Sequence, residues 1–410
     1  MGQVIACFEV SSNSIRVLLG TVENNEPVVF CTNEIAIPGI MENGIIKDES
    51  ALVAALSQLH RIEDEASKLS INITNVYVLL PSLGFQAFRG KKTTNTVGSS
   101  VTSIDVSNVL SLFQKDALSP EASIINIIPE EFTLEDGQRF FEAPIDKASR
   151  TLTVSAIAHV LPKSITDSFY GSFLKAGFRI NQTAVSSYSE GLALKADSSM
   201  PQSAIIVNMG GKVTNLTLVM NGMAVACKSC YAGSDSLTEA LVQDFAISTE
   251  TAEHLKIMNG YSTRTREFQA PIWRGSSDND CRISQKELNA SISRFAEKYF
   301  ATIGSGLRAI EQMVPDAASL PLVLIGGGSM LNGMLSLAKR FFPGKQVIRY
   351  SPKVIGARSP RYVGLLGLLL AASRSEHTLA ESQQGLPRVS RAVPKEKKPK
   401  RTSSPEDDSL

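Results

Sequence analysis

Three apolar segments that each end in a glycine or serine turn constrain this chain more than anything else in it. The middle one runs Ile205-Ile206-Val207-Asn208-Met209, turns through Gly210-Gly211-Lys212, and returns as Val213-Thr214-Asn215-Leu216-Thr217-Leu218-Val219. An apolar run, a tight turn and an alternating return predict a strand, a turn and a strand. Near the start, Val4 to Leu19 follows the same plan around Ser11-Ser12-Asn13-Ser14. The third, Leu322 to Ile325, enters Gly326-Gly327-Gly328-Ser329 and then a helix from Leu331. Glycine lets backbone N–H groups approach a ligand closely. Successive turn amides form a concavity that suits an anion, typically phosphate. One such turn is an ordinary hairpin. Three of them, each closing a buried-type strand, suggest nucleotide phosphates between the first two and the base or ribose beside the third.

At 410 residues two or more domains are expected. Gln3 to Ile37 reads as a three-strand meander with its second turn at Glu23 to Pro27. A helix follows, capped by Asp48 or Ser50, with Leu52, Val53, Leu56, Leu59, Ile62, Ala66 and Leu69 at helical spacing and His60 on the surface. Val76 to Leu80 is a buried-type strand. Gly84 to Pro162 reads as a small α+β insert: a helix from Asp105 to Leu118, then strands near 124–128, 131–134 and 151–160, with His159 structural. The helix from Lys163 ends at Gly177, a left-handed cap. Asn221-Gly222 is a hairpin turn. A second insert begins at Ser248. It carries the helix Thr249 to Met258, a polar loop with Trp273, Arg274 and 276–280, and then a long helix from Ser284 to Val314. Val363 to Ala372 reads as a buried helix, and 376–410 as a disordered tail with a basic block, Arg388 to Arg401, before an acidic end.

Several classes are excluded. The net charge of +1 offers no global field for nucleic acid. Five cysteines without framework spacing fit a reducing compartment, and the lone pair Cys227/Cys230 is no zinc site. There is no signal peptide pattern, and no apolar run reaches the ~20 residues of a membrane span.

With its two strand-turn-strand halves and its inserts, the chain looks like the actin-like ATPase superfold. Within that fold it resembles the FtsA family of bacterial cell-division proteins over roughly Val4 to Ala372. The resemblance is carried by Pro38 to Asp48, Ile127 to Leu134, Thr249 to Lys256 with Gly260-Tyr261, Arg282-Ile283-Ser284, and Tyr362 to Leu368. It implies an α/β protein of two duplicated ribonuclease-H-like halves, with a helix-first FtsA-type α+β insert in the first. It divides the chain into 1–83 with 163–200 (first actin-like subdomain), 84–162 (first insert), 201–247 with 299–374 (second subdomain), 248–298 (second insert) and 375–410 (tail).

The resemblance also implies roles. Ser11, Ser12, Asn13 and Ser14 match the first phosphate loop, Asn208, Gly210, Gly211 and Lys212 the second, and Gly326, Gly327, Gly328 and Ser329 the adenosine loop. Gly233 matches a glycine close to the phosphates, and Glu253 and Lys256 fall where ribose and base are contacted. ATP is the implied cofactor, with Mg²⁺ near Glu9. The family pattern has an aspartate at Glu9 and at Asn208, a glycine at Ser11 and at Lys212, an aspartate at Asn215, and a glutamate near Val185 or Ser186. Here those are replaced, so any ATPase activity is expected to be absent or very weak. Lys212 is expected to pair with phosphate in place of part of the metal's charge. Implied partners are the FtsZ C-terminal peptide, through Trp273, Arg274, Arg282 and Arg294; other division proteins, through the first insert; further copies of the chain, in filaments; and an anionic membrane surface. The implied location is the cytoplasmic face of the membrane at the division site. The competing expectations are a type IV pilus assembly protein that binds a peptide, and a kinase of the same superfold.

Overall fold

The computed structural model describes residues 4–42, 44–64, 69–114, 119–263, 271–275 and 282–382. Strands β1 (Ile5–Val10), β2 (Ser14–Glu23) and β3 (Glu26–Ala36) form the meander. Asn24 and Asn25, at φ 52° and 64°, make the two-residue turn whose twist suits a hairpin. Asp48 caps α1 (Glu49–Ser57), accepting from the Ala51 amide at 2.9 Å. The helix is shorter than its apolar spacing predicts. Ile62 belongs to a short strand, Arg61–Asp64, that pairs with Leu69–Asn72; Ala66 lies outside the described residues. His60 is not a surface residue. Its ring nitrogens reach the carbonyls of Ile73 (3.1 Å) and Ala176 (2.7 Å), and it stacks on Phe178 at 4.2 Å. The left-handed Gly177 (φ 88°) turns the chain to bring those partners to it.

Strand β4 (Asn75–Leu80) leads into the first insert. There the sequence order needs correction. A strand, β5 (Gln86–Asn95), precedes helix α2 (Ser103–Gln114). Then come β6 (Ala122–Leu134), β7 (Arg139–Phe140) and β8 (Thr151–Pro162), in an antiparallel sheet ordered β7-β6-β8-β5. Being an edge strand with much of its length exposed, β5 needs no apolar run, so its sequence reads as loop. Strand β6 is continuous where two strands were expected, with bulges at 124/126 and 129/131 beside Pro129. Helix α3 (Lys163–Lys175), strand β9 (Arg179–Val185) and helix α4 (Ser186–Ala196) complete the first half.

The second half repeats the plan: β10 (Ala204–Met209), β11 (Thr214–Met220), β12 (Met223–Cys230), α5 (Asp235–Phe245), α6 (Thr249–Met258), α7 (Gln285–Met313), β13 (Leu322–Ile325), α8 (Met334–Phe341), β14 (Val347–Arg349) and α9 (Val363–Ser382). The two five-stranded sheets, β3-β2-β1-β4-β9 and β12-β11-β10-β13-β14, share one order. In each, the first two pairings are antiparallel and the last two parallel. The duplicated architecture is therefore present.

Helix α9 differs from expectation in two ways. It continues to Ser382, past the start assigned to the tail. It also packs against α4, β1 and β2 of the first half, although its sequence position follows the second-half strands. Gly367 permits that contact: a Cβ there would lie 1.7 Å from the Ser189 carbonyl oxygen. The basic block from Arg388 onward and the stretch 276–280 lie outside the described residues.

Candidate functional site

A cleft of about 630 Å³ opens where the ends of the two sheets face each other. Its walls are the three turns found in the sequence. In the first, Ser11 donates from both its amide (2.8 Å) and its hydroxyl (2.9 Å) to the Ser14 carbonyl. In the second, the Gly210 amide donates to the Val213 carbonyl at 3.1 Å. Closing the turns uses those amides. The amides of Ser12, Asn13 and Gly211 have no carbonyl partner among the described residues. The third turn follows β13, where Gly326 sits at φ 80°. A Cβ on Gly326 would meet Asn208 Oδ1 at 2.4 Å, so glycine is needed there twice over.

Gly210 and Gly211 are glycines for a different reason from the one the sequence suggests. Neither is at positive φ; the requirement is room. A Cβ on Gly210 would stand 2.6 Å from the Val213 oxygen, and on Gly211 2.9 Å from the Asp235 carboxylate. Lys212, likewise not at positive φ, needs no glycine. It is also absent from the cleft lining, which corrects the expectation that its ammonium faces a phosphate. It lies near enough to Glu42 to favour that carboxylate, behind the larger effect of Lys47.

Other expected site residues divide. Ser11, Ser12, Asn13, Ser14, Asn208, Gly210, Gly211, Glu253, Lys256, Gly326, Gly327 and Gly328 all line the cleft. Gly233 and Ser329 do not. Gly233 lets two loops touch, since a Cβ would fall 2.0 Å from the Gly211 oxygen. Ser329 is fully buried and braces its own turn, donating to the Gly326 carbonyl at 2.7 Å. Of the pair Glu253 and Lys256, only Lys256 is buried; the Glu253 side chain is 44% exposed. Lys256 is 3% exposed, pairs with Glu253 at 2.6 Å, and donates to Thr238 Oγ1 (2.8 Å) and the Ser234 carbonyl (3.2 Å).

Four cleft residues escaped the sequence reading. Arg16 stands across from Glu9 in the β1–β2 register and bonds it at 2.9 Å. Its other terminal nitrogen donates to the Arg361 carbonyl at 2.7 Å, and the Arg361 guanidinium bonds Glu34. Asp235 accepts from Asn13 Nδ2 at 3.0 Å, a bond that spans the cleft between the halves. Glu190 is 1% exposed, on a helix buried on nearly every side. Its Oε1 accepts from Ser186 (2.6 Å) and Asn208 (2.7 Å), and its Oε2 has no partner among the described residues. Burial pushes the Glu190 carboxyl up to about 7, against the lowering effect of those two donors. A signal was available: lone charges in otherwise apolar or small-residue stretches, Arg16 within Ile15 to Leu19 and Glu190 within Ser186 to Leu194.

The fit of a metal is testable on these groups. Mg²⁺ needs near-ideal geometry from hard oxygens, usually one or two carboxylates with phosphates. Here one oxygen of Glu9 faces a guanidinium, and Asn208 turns its amide nitrogen, a donor, toward Glu190. No group of three or more metal-ligating side chains gathers among the described residues. Asn215, on β11 opposite Asn208, accepts from Ser229 at 2.8 Å. The residues present do not fit the Mg²⁺ site that the fold family implies.

The expected partner residues are built otherwise than the sequence suggests. Trp273 lies on a strand, Pro271–Arg274, paired with Arg282–Ser284, and packs against the second-half core. Arg274 and Arg282 are opposite one another and exposed. Arg294 is paired with Asp244 at 2.7 Å.

The comparisons with known proteins agree with this geometry. The family model "Cell division protein FtsA" matches residues 205–367. Cell division protein FtsA of Enterococcus hirae is 26% identical over 372 residues, spanning 88% of this chain and 81% of that protein. FtsA of Streptococcus pneumoniae is 24% identical over 88% of this chain and 78% of its own, and FtsA of Neisseria meningitidis 21% over 93% of each. Along most of its length the chain is similar to FtsA proteins of several bacteria. Among solved structures, the PilM–PilN type IV pilus biogenesis complex aligns with TM-score 0.59 at 14% identity, over 90% of this chain and 98% of that one. MreB5 of Spiroplasma citri bound to AMPPNP aligns with 0.56 at 11%, over 93% and 99%. Both likenesses are of fold alone. The strand before α2 removes helix-first order as the mark separating FtsA from the pilus protein; what separates them is sequence, since the FtsA relatives match along most of the chain.

Proposed function

We propose that this protein is an actin-like cell-division adaptor that holds a nucleotide in the cleft as a structural element and turns it over slowly or not at all. The observation that carries the reading is the arrangement of the three turns. Two offer uncommitted amides across a gap, and the third lacks side chains where a flat ligand would lie. Gly327 is the clearest case: an added Cβ would meet nothing nearer than the Arg361 side chain at 3.9 Å, so its absence leaves the cleft open. Slow turnover follows from the replaced carboxylates. Asn208 and Asn215 orient neither a metal's waters nor an attacking water as ionised carboxylates do.

In this reading the chain polymerises and links an FtsZ ring to the membrane. The second insert with the start of α7 receives the FtsZ C-terminal peptide, with the exposed Arg274 and Arg282 at the rim. The first insert serves other division proteins or the next copy of the chain, and the chain is divided as its sequence suggests apart from α9. No helix of the described residues is long and apolar enough to cross a membrane. Attachment then falls to the basic block in the tail, at about 1 kcal/mol per Lys or Arg near an anionic leaflet. The test is an anisotropy titration of labelled FtsZ C-terminal peptide from the same cell. Micromolar affinity supports the adaptor role; no binding at any attainable concentration removes it.

A further inference from the structure

The groups around Glu9 form a ladder of alternating charge. Glu9, Arg16 and Glu34 are cross-strand neighbours on β1, β2 and β3, and Arg361, just before α9, closes the row on Glu34. Arg16 is the centre of it. It lines the cleft and is 8% exposed. Each terminal nitrogen uses one of its two N–H groups, on Glu9 Oε1 and on the Arg361 carbonyl, and the buried Nε has no partner among the described residues. A guanidinium carries five N–H donors and no acceptor. It is weakly hydrated and matches phosphate oxygens with a planar fork of donors. A divalent ion beside Glu9 would have to share one carboxylate with this fixed cation and meet its repulsion.

We propose that Arg16 is the resident counter-cation of the cleft, standing where a divalent metal would sit beside Glu9, so that a bound nucleotide's phosphates are held by a guanidinium and turn amides without Mg²⁺. The inference rests on the nucleotide reading above and replaces Lys212, which does not line the cleft. It assigns Glu9 a second role: its charge holds Arg16 in place rather than holding a metal. The cleft then selects for the phosphate chain itself rather than for the metal–nucleotide complex. Nucleotide affinity becomes independent of the free Mg²⁺ concentration, which suits a structural ligand.

The test is calorimetric titration of ATP into the full chain in excess EDTA and in excess Mg²⁺, for wild type, Arg16→Gln and Glu9→Gln, with far-UV circular dichroism to verify folding. Wild type should bind equally in the two buffers, within about threefold. Arg16→Gln should lose about tenfold or more in EDTA, as expected for a charge-assisted contact to phosphate. Glu9→Gln should retain or tighten EDTA binding, because the guanidinium is released from its carboxylate; if that variant unfolds, the Arg16→Gln comparison still decides. Bound Mn²⁺ should be undetectable by electron paramagnetic resonance in the nucleotide complex. Tight binding only with Mg²⁺, loss of binding in Glu9→Gln, or unchanged EDTA affinity in folded Arg16→Gln would overturn the inference while leaving the nucleotide reading standing. No binding by wild type in either buffer would overturn both.

Discussion

Replacing Glu190 by glutamine should make this protein more stable at neutral pH and above. Glu190 is 1% exposed and its folded-state pKa is raised from 4.5 to about 7, mainly by burial. A carboxyl with a raised folded pKa binds its proton more tightly in the folded state. Its linkage contribution is therefore most favourable below the unfolded pKa near 4.5 and is lost as pH rises through about 7. At 1.36 kcal/mol per unit, that interval corresponds to about 3 kcal/mol, an upper bound because the cleft admits water. Glutamine keeps the shape and the acceptor for Ser186 and Asn208 but cannot ionise. In urea denaturation followed by circular dichroism, wild type and Glu190→Gln should differ little near pH 5, while near pH 8 the variant should be more stable by up to about 3 kcal/mol. A residue whose removal stabilises the fold is held for function. An equal difference at both pH values, or a destabilised variant at the higher one, would show that Glu190 is ionised at little cost and that burial does not dominate its environment.

Gly233→Ala should lower stability by about 2 kcal/mol or more and loosen the second turn, because its Cβ would fall 2.0 Å from the Gly211 oxygen; an unchanged melting temperature would refute the close contact. His159 is fully buried, donates from Nε2 to the Ala224 carbonyl, and has its pKa lowered to about 4 by burial. Its contribution is complete above the unfolded pKa near 6.5 and is lost as pH falls toward 4, by about 3 kcal/mol. His159→Gln should flatten stability over that window, and the same slope in wild type and variant would contradict it. Reversing the charges of the exposed pair, Arg274→Glu with Arg282→Glu, should weaken FtsZ-peptide binding about tenfold with the fold intact; unchanged affinity would move the partner site elsewhere.

The parts of the fold legible in the sequence were those in which local pattern and final environment agree. The turns at Ser11, Gly210 and Gly326 follow buried strands, and both halves of the duplicated sheet could be read from them. Where environment overrides pattern, the sequence misled. The edge strand Gln86–Asn95 buries little and so carries no apolar run. Apolar residues at helical spacing after Ser57 serve a short hairpin strand instead. The glycine at 233 answers to a carbonyl from a loop twenty-two residues earlier, a long-range contact that no local rule encodes. The site was harder still, because a residue's type does not reveal its partner. Lys212 attracted a phosphate role because it stands at a glycine position beside the lost carboxylate at Asn208, whereas strand register sets Arg16 opposite Glu9. Glu190 lies one helical turn beyond the position where a glutamate was sought, and the burial of its whole helix determines its character.

Binding of a fluorescent ATP analogue to wild type and Gly327→Val decides whether the cleft holds a nucleotide. Gly327 is not at positive φ and has open space around its missing Cβ, so valine should fold normally while filling the cleft. Wild type should bind saturably at micromolar concentration, and the variant should lose binding by about tenfold or more with an unchanged circular dichroism spectrum. Equal binding by the two proteins would place the ligand outside the cleft, and no binding by wild type would leave the three turns as architecture alone.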